Sequence, residues 1–415
     1  MKIGFIGMTH LGIVSSIAAA EKNFNVICYD QDKEKINKLN KSLFEIDEPK
    51  LNYYYKKNTK KIKFTNDLKE LNSTSLVYLS IDIKTNSSGK SDYTEINEII
   101  TKISKNLNKK IILIILCQIA PGFTRKIKWP KNKLFYQVET LIFGKAFERA
   151  LKPERIIVGQ DATKKLPIKY KKFLTQFKCP LITMNYESAE LSKISINLFL
   201  ISQVMTTNSI VEIAKKIGAD WNSIKLALNL DKRIGKKSYL DPGLGISGGN
   251  LERDLSTMQT LAHKQRTSSI LFQTFESLSK YYKDWCYREF EKIRKNNKLK
   301  IINVGVLGLA YKNNTNSIKN SPSILLIKKL LKKNIKVIVN DPILKKENIS
   351  LPVTYENNPE KIIYETDAIF VMLNSKNYQK IKLKYNKINK KKYFIDPFSV
   401  IQFEKFHLIT SVNIK

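Results

Sequence analysis

Short apolar runs alternate with longer, lysine-rich stretches of helical periodicity over the first part of the chain. The strand-like runs read, in order, KIGFIG, NVICYD, SLVYLSI, KIILIILC, LFYQVET and RIIVGQ. Stretches with helical character, such as residues 31–42 and 93–106, lie between them. Apolar strands that alternate with helices are typical of a parallel, doubly wound sheet. The pattern therefore predicts an α/β domain over residues 1–185.

The periodicity changes at Glu187. From there apolar residues recur at helical spacing for about thirty residues, and the pattern ends near Gly218. More helix is expected from Leu251 to about Ile293. We predict a helical central domain over residues 186–293. A helix as long as its first one commonly supports a subunit interface, so we expect a homodimer.

A second alternation of strands and helices occupies the last part of the chain. It follows a polar stretch at residues 294–300 and reads IINVGVLGLAY, SPSILLIKKLLKKN, KVIVND, AIFVMLN and YFIDPF. This pattern predicts a smaller α/β domain over residues 300–415. The expected fold is therefore α/β, with two doubly wound domains of one architecture joined by a helical central domain.

The composition gives the chain a strong positive charge but indicates no nucleic-acid or metal site. The 415 residues carry a formal net charge of +36, almost entirely from lysine spread along the chain. No recognition helix or RNP-type aromatic motif accompanies the charge, so we expect solvated lysine surfaces and no nucleic-acid partner. Four cysteines and three histidines are scattered, which argues against a metal site.

The chain shows no targeting or membrane-spanning pattern. It opens on an apolar strand-like run without a basic leader. The longest apolar run, IILIILCQIA, is about half of the ~20 residues that a bilayer requires. We therefore expect a cytoplasmic protein that is not associated with a membrane.

The first strand runs into a nucleotide-binding turn. Gly7-x-Thr9-x-x-Gly12 fits the dinucleotide fingerprint, except that threonine replaces the second glycine. Gly7 permits the tight turn, Gly12 permits close helix packing, and the helix N-terminus faces the pyrophosphate. Thr9 is expected to weaken or displace binding slightly. Asp30, at the end of the next strand, can accept hydrogen bonds from both ribose hydroxyls, which favours NAD over NADP in this Rossmann-like unit.

Ordered motifs extend over nearly the whole chain and include SLFEIDEPKL, SSGKSDYTEI, QIAPGFTR, AELSKISIN, DKRIG, DPGLGISGGNLERD and GLAYKNNTNSIKNSP. Together they resemble those of the UDP-glucose/GDP-mannose dehydrogenase family. The resemblance implies an NAD-dependent oxidoreductase that acts on a CH–OH group of a UDP- or GDP-hexose, for polysaccharide precursor biosynthesis. In the family, the sugar alcohol is oxidised twice, and the second oxidation passes through a cysteine thioester.

The resemblance also assigns candidate site residues. The cofactor-binding residues that it implies are Gly7, Thr9, Gly12, Asp30, Lys35 and Arg253. The implied substrate-binding residues are Glu139, Lys193, Asn197, Arg233, Tyr239, Gly243, Lys312 and Lys319. Among these, Arg233 matches an arginine that reaches the neighbouring subunit's site. Lys319 stands where the family has arginine, so a bidentate contact is lost.

Three departures from the family fall on the covalent half of the reaction. The nucleophilic cysteine is replaced by Asn250, a glutamate implicated in thioester hydrolysis by Phe143, and a threonine by Gln118. An amide lacks a nucleophile of useful strength at neutral pH. The residues that serve the first hydride transfer are retained.

The retained residues are Lys193, Asn197 and Asp254. Lys193 and Asn197 are four residues apart on a helix, so they share a face and can donate hydrogen bonds to a developing oxyanion. Asp254 can accept the hydroxyl proton through a water, and Asn250 can serve as a hydrogen-bond donor. These assignments favour a two-electron oxidation. A four-electron oxidation, a transient, epimerase-like oxidation and a catalytically degenerate protein that binds nucleotide sugar and NAD stay open as alternatives.

Overall fold

The computed structural model describes residues 1–46, 48–86, 89–161, 163, 165–298, 303–404 and 407–414. The chain forms two compact units, Met1–Ile196 and Asn197–Lys415. The boundaries predicted at residues 185 and 293–300 stay predictions, and part of the predicted polar stretch, residues 299–300, lies outside the described residues.

An eight-stranded sheet forms the centre of the first unit. Its strands are β1 (Lys2–Ile6), β2 (Asn25–Tyr29), β3 (Ile62–Thr65), β4 (Leu76–Leu79), β5 (Ile112–Ile115), β6 (Leu134–Gln137), β7 (Ile156–Gln160) and β8 (Leu181–Asn185). They lie in the order β3-β2-β1-β4-β5-β6-β7-β8. All neighbouring pairs are parallel except β6 and β7, which are antiparallel. The predicted doubly wound sheet is confirmed, with β3 and β8 as additional strands.

Helices cover both faces of this sheet. They are α1 (His10–Glu21), α2 (Lys33–Asn40), α3 (Leu51–Asn58), α4 (Thr94–Asn106), α5 (Ala146–Leu151) and α6 (Ile168–Leu174). One buried cluster joins Ile17 of α1, Phe135 and Tyr170, and another joins Ile103 of α4 to Ile115. Strands β4 and β5 are buried along their whole length, as expected for central parallel strands. This packing fixes the edge of the sheet where the strand ends carry the polar side chains.

A long helix, α7 (Tyr186–Ile217), follows β8 and includes the boundary between the two units. It begins within a residue of the predicted position and confirms the change of periodicity at Glu187. Over the described residues, it is the one helix whose length and composition would allow it to cross a membrane. Its most apolar stretch is only 39% buried. Much of that apolar surface is therefore exposed in a single copy of the chain.

The rest of the central segment is helical as well. It contains α8 (Trp221–Leu230), α9 (Asn250–Lys264), α10 (Ile270–Lys283) and α11 (Trp285–Asn296). A cluster of Ile201, Met205, Ile246, Leu255 and Phe275 holds α7, α9 and α10 together. Because α11 continues to Asn296, the first residues of the predicted polar linker are helical instead.

A six-stranded parallel sheet completes the second unit. Its strands are β9 (Asn303–Leu307), β10 (Lys336–Asn340), β11 (Thr354–Tyr355), β12 (Ala368–Val371), β13 (Lys392–Ile395) and β14 (Ile409–Val412). They lie in the order β11-β10-β9-β12-β13-β14 and pack against α12 (Pro322–Leu331), α13 (Pro359–Glu365) and α14 (Lys376–Gln379). The arrangement repeats the order of the first sheet, so the predicted second copy of one architecture is confirmed.

Candidate active site

The turn after β1 is built around two glycines. Gly7 has a φ of +92°, and its N–H donates to the carbonyl of Tyr29 at 2.9 Å. A Cβ atom on Gly12 would lie 1.9 Å from the carbonyl oxygen of Gly7. Only glycine therefore allows α1 to start this close to the strand. The free N–H groups at the start of α1 are the groups that bind a pyrophosphate in this type of unit.

Thr9, at the position of the missing glycine, caps α1. Its hydroxyl donates to the carbonyl of Ser80 at 2.8 Å and accepts from the N–H of Gly12 at 3.4 Å. A side-chain oxygen at this position typically stabilises a helix by about 1 kcal/mol. The hydroxyl is thus directed back onto the end of β4. Whether Thr9 weakens dinucleotide binding stays a prediction.

Asp30 is fixed at the end of β2 by three hydrogen bonds. Its carboxylate accepts from the N–H of Met8 at 2.8 Å, the N–H of Asp32 at 3.0 Å and Nζ of Lys35 at 3.2 Å. Gly7, Thr9, Asp30 and Lys35 are among the residues that line a cleft at this place. A buried carboxylate in such a cleft suits ribose hydroxyls and repels a 2′-phosphate. The residues present therefore fit NAD.

Lys193 of α7 forms an ion pair with Glu139, which lies just beyond β6. The distance from Nζ to Oε2 is 3.5 Å, and the two side chains are 10% and 15% exposed. Glu139 also accepts a hydrogen bond from the N–H of Leu141. The structure thus brings together a predicted catalytic lysine and a predicted substrate-binding glutamate, and an ammonium at this depth can donate to a developing oxyanion.

Glu190, one turn before Lys193, was missed as a functional residue. Its carboxylate accepts from the N–H of Gly122 at 2.5 Å and from the N–H of Thr124 at 2.9 Å. Burial raises the pKa of this carboxyl above its usual value. The contacts fasten the Pro-Gly turn after β5 to α7. The Ala-Glu-x-x-Lys motif contained the signal, but the sequence alone did not show what the glutamate binds.

Asn197 and Asp254 form a buried pair in the second unit. Nδ2 of Asn197 donates to Oδ2 of Asp254 at 2.5 Å, and Asp254 is only 1% exposed. Arg253 Nε lies 3.5 Å from the other carboxylate oxygen of Asp254. Two of the predicted catalytic residues are therefore in direct contact. Asn197 stands four residues after Lys193 on α7, as the sequence predicted.

Asn250 is the first residue of α9 and is exposed. Its Oδ1 accepts a hydrogen bond from a guanidinium nitrogen of Arg253 at 3.1 Å. This contact turns the carboxamide oxygen toward Arg253 and the amide nitrogen away from it. Arg253 was predicted to bind the cofactor, and the structure places it between Asn250 and Asp254. Its contact with a cofactor stays a prediction.

The glycines before Asn250 allow close packing against the loop that precedes α12. Gly248 has a φ of +90°, and a Cβ atom there would lie 2.8 Å from the ring of Tyr311. The N–H of Gly248 donates to the carbonyl of Lys319 at 3.2 Å, and Lys319 Nζ would lie 3.4 Å from a Cβ on Gly249. Lys319 is therefore next to the active-site segment. Lys312 Nζ lies 5.6 Å from the ring centre of Tyr311.

Two further anchors of this segment were missed. Glu252 accepts hydrogen bonds from Lys283 of α10 and from Asn320. Asn208 of α7 bonds both backbone groups of Gly243, from the N–H at 2.9 Å and to the carbonyl at 2.8 Å. No local pattern indicates these pairings, because their partners lie at least 31 residues apart.

The remaining predicted substrate residues are exposed in a single chain. Arg233 has an 89% exposed side chain and bonds with Asp231 at 3.0 and 2.6 Å. Tyr239 is 45% exposed, and its backbone is held by Thr207 and Gln203 of α7. An exposed arginine is compatible with a role in a neighbouring subunit, which stays a prediction.

The second sheet repeats the turn of the first. The N–H of Leu309 donates to the carboxylate of Asp341 at 2.7 Å, as the N–H of Met8 does to Asp30. Both carboxylates follow the second strand of their sheet and bind the turn after the first strand. Among the described residues, no group of three or more His, Cys, Asp or Glu side chains could hold a metal ion.

The chain matches three models of one family along its length. They are the NAD binding domain of the UDP-glucose/GDP-mannose dehydrogenase family over residues 1–177, its central domain over 187–280 and its UDP binding domain over 305–403. The UDP-glucose 6-dehydrogenase of Rickettsia bellii is 32% identical over 384 residues, which cover 89% of this chain and 86% of the relative.

Two solved structures share the fold over most of their length. The UDP-D-ManNAc dehydrogenase of Pyrococcus horikoshii matches with a TM-score of 0.86 and 20% identity, covering 100% of this chain and 99% of that one. The UDP-glucose dehydrogenase of Pyrobaculum islandicum matches with a TM-score of 0.84 and 21% identity, covering 96% and 94%.

The NAD binding domain and the UDP binding domain on one chain define the class: an NAD-dependent dehydrogenase of nucleotide sugars. The chain belongs to the UDP-glucose/GDP-mannose dehydrogenase family. The predictions of family, fold class, enzyme class and NAD as cofactor are thereby confirmed. The roles of the individual site residues stay predictions.

Proposed function

We propose that this dehydrogenase oxidises its nucleotide sugar by two electrons and does not continue to the acid. Position 250 carries the proposal. A second oxidation through a thioester needs a thiolate, and this position holds a carboxamide whose oxygen already accepts a hydrogen bond from Arg253. The substrate is a UDP- or GDP-hexose, as the names of the family and of the relatives suggest.

The four cysteines of the chain support the same conclusion. Burial raises the pKa of Cys28 to about 12 and raises the pKa values of Cys117 and Cys286 well above their usual range. Burial also raises the pKa of Cys179, which lies just before β8. These thiols stay protonated at neutral pH, and only the thiolate is an effective nucleophile. None of them is poised to replace the family's cysteine.

The retained residues can carry out a single oxidation. NAD, when bound, supplies the hydride acceptor. Asp254 takes the hydroxyl proton, directly or through a water, and Asn197 holds the carboxylate in place through its 2.5 Å hydrogen bond. Lys193, paired with Glu139, donates to the substrate oxygen as its negative charge develops. The balance is one alcohol oxidised to a carbonyl, one hydride passed to the cofactor and one proton released.

Counting the reduced cofactor formed per sugar tests the proposal. The enzyme is incubated with excess NAD and, in separate reactions, with UDP-glucose, UDP-N-acetylmannosamine or GDP-mannose. Carbonyl products are trapped with hydroxylamine and identified by mass spectrometry. We expect one NADH per sugar and an oxime of the aldehyde, or of a ketone if a ring hydroxyl is oxidised. Two NADH per sugar together with a hexuronic acid would overturn the proposal. An epimerised sugar without net NADH would indicate a transient oxidation, and binding without conversion would indicate a degenerate enzyme.

We also propose a homodimer that forms through α7. Phe199, Ile210, Ile213 and Ile217 are 73%, 41%, 61% and 74% exposed. Their spacings place them on one face of the helix. Several exposed apolar side chains on one helix face can mark an interaction surface. A second copy of the chain would cover it, and would bring an exposed Arg233 toward a neighbouring chain.

Replacing Ile213 and Ile217 together by glutamate is expected to convert the dimer to a monomer, because each chain would then bury unpaired carboxylates in the interface. Multi-angle light scattering checks the mass against the 48.0 kDa chain. Lys216→Glu, an exposed change on another face of the same helix, is the control and should leave the dimer intact. A monomeric wild-type protein at micromolar concentration would contradict the proposal.

A further inference from the structure

His10 occupies an unusual position in the nucleotide-binding turn. It is the first residue of α1, directly after the cap Thr9 and two residues before Gly12. Its side chain is 16% exposed. The proposed oxidation does not use this imidazole, although His10 lies at the helix end that faces the dinucleotide site.

The imidazole is bonded to a buried carboxylate. Nε2 of His10 lies 2.8 Å from Oε1 of Glu48, whose side chain is fully buried. A carboxylate that accepts backbone hydrogen bonds on both oxygens faces this nitrogen, so we assign the proton to Nε2 and the donor role to His10. The Glu48 side chain is thus shared between the nucleotide turn and a second loop.

That second loop lies between β6 and α5, over residues 139–146. The N–H of Gly144 donates to Oε1 of Glu48 at 2.8 Å, and the N–H of Ala146 donates to Oε2 at 3.0 Å. The ring of Phe143 packs on the imidazole of His10 with a centroid distance of 4.4 Å. One end of the loop is therefore bound to His10 and Glu48 through two hydrogen bonds and a ring contact.

The other end of the same loop carries Glu139. This residue pairs with Lys193 at 3.5 Å, and Arg149 Nε donates to the carbonyl of Thr140 at 2.8 Å. The loop thus connects two places within the first unit: the nucleotide turn at His10 and the lysine that the proposed function uses. A displacement of the turn therefore alters the contacts of His10 and Glu48 with this loop, and the loop in turn positions Glu139.

We propose that His10 is a positioning residue that couples dinucleotide binding to the order of the loop over residues 139–146. Dinucleotide binding at the turn fixes the start of α1 and, with it, the position of the His10 imidazole. The imidazole then holds Glu48, and Glu48 holds Gly144 and Ala146. Phe143, which replaces a glutamate of the family, serves here as the packing surface for His10. The chemical class of the ligand that His10 senses is a dinucleotide.

Hydrogen exchange of the free enzyme and of its complex with saturating NADH tests the coupling. We expect NADH to slow amide exchange in residues 139–146 of the wild type by about tenfold, in the usual range for a coupling between sites. His10→Ala should lose this protection while still binding NADH, because it removes both the hydrogen bond and the ring contact. His10→Gln should restore part of it, since its amide nitrogen can donate to Glu48.

The controls separate coupling from a general loss of structure. His263→Ala removes an exposed histidine of α9 and should retain full protection of the loop. Phe143→Ala, at a 47% exposed position, removes only the ring contact and should give an intermediate loss. NADH affinity is followed by fluorescence, so that every variant is compared at saturation. Full protection of the loop in His10→Ala, or no protection in the wild type, would overturn the proposal.

This inference rests on the proposed function only for the role of Lys193. The exchange experiment uses NADH alone and no sugar. A wild-type enzyme that forms two NADH per sugar would remove the proposed function and leave the coupling standing. Equal protection in the wild type and in His10→Ala would remove the coupling and leave the two-electron proposal untouched.

Discussion

Replacing Gly12 by alanine is expected to weaken NADH binding by at least about 100-fold, since a misplacement of about 1 Å can cost that much in a built site. The added Cβ atom would lie 1.9 Å from the carbonyl oxygen of Gly7 and 2.8 Å from the hydroxyl of Ser80. The first of these atoms belongs to the backbone and cannot rotate away. The start of α1 must therefore move from the turn that it closes. Fluorescence titration with NADH measures the loss.

A matched change on the same helix isolates the effect. Ser15→Ala shortens a partly buried side chain one turn further along α1 and should leave NADH affinity close to that of the wild type. Far-ultraviolet circular dichroism shows whether the Gly12→Ala protein keeps its fold. A folded Gly12→Ala protein that binds NADH as tightly as the wild type would contradict the role given to this turn.

The sequence predicted those parts of the fold whose signals are local. The strand-like runs at β4 and β5 are apolar along the whole strand, and those at β1 and β2 are apolar after a polar first residue. Apolar residues recur at helical spacing along α7. Strand β8 was not predicted because its residues are half exposed, and β11 has only two residues. The antiparallel pairing of β6 with β7 depends on the path of the chain between them, which no residue pattern specifies.

The same distinction between local and long-range signals applies to the candidate site. Gly7, Gly12 and Asp30 lie within one strand–turn–helix–strand unit, so their spacing alone indicated a nucleotide site. Asn208 and Glu48 bind backbone groups that are 35 and 96 residues away along the chain, and no sequence pattern indicates either contact. Long-range hydrogen bonds of buried polar groups arise from the tertiary fold, and a single sequence shows only the residue types that could make them.

Two of the residues that replace the family's covalent machinery make specific contacts in the structure. The ring of Phe143 packs on the imidazole of His10, with 4.4 Å between the ring centroids. Asn250 is held by Arg253, which also approaches Asp254. Two of the three replaced side chains, Phe143 and Asn250, thus make a specific contact within their own unit. These contacts support a site that has been rebuilt for one oxidation, in preference to one that has lost its function.

We expect the proposed single oxidation to depend most on Asp254. Its carboxylate is 1% exposed and lies 2.5 Å from Nδ2 of Asn197. A carboxylate carries lone pairs on both oxygens and can act as a base that accepts a hydroxyl proton, directly or through a water. Replacing it by asparagine removes the base. The new amide oxygen can still accept the hydrogen bond from Asn197, but the amide N–H₂ group then faces the guanidinium of Arg253. The change keeps the size of the side chain, so the loss measured is one of chemistry and hydrogen bonding.

We expect Asp254→Asn to lower kcat by about 1000-fold, within the range for removal of a general base. NADH affinity should change much less than kcat, because the residues that form the dinucleotide turn, Gly7, Thr9 and Gly12, are all unaltered. Stopped-flow measurement of NADH formation with the converted nucleotide sugar gives kcat, and fluorescence titration gives the affinity. Glu365→Gln, a neutralised carboxylate at an exposed position on α13, should retain full activity. A kcat within tenfold of the wild type would mean that another group accepts the proton, since general-base catalysis contributes at least about 100-fold.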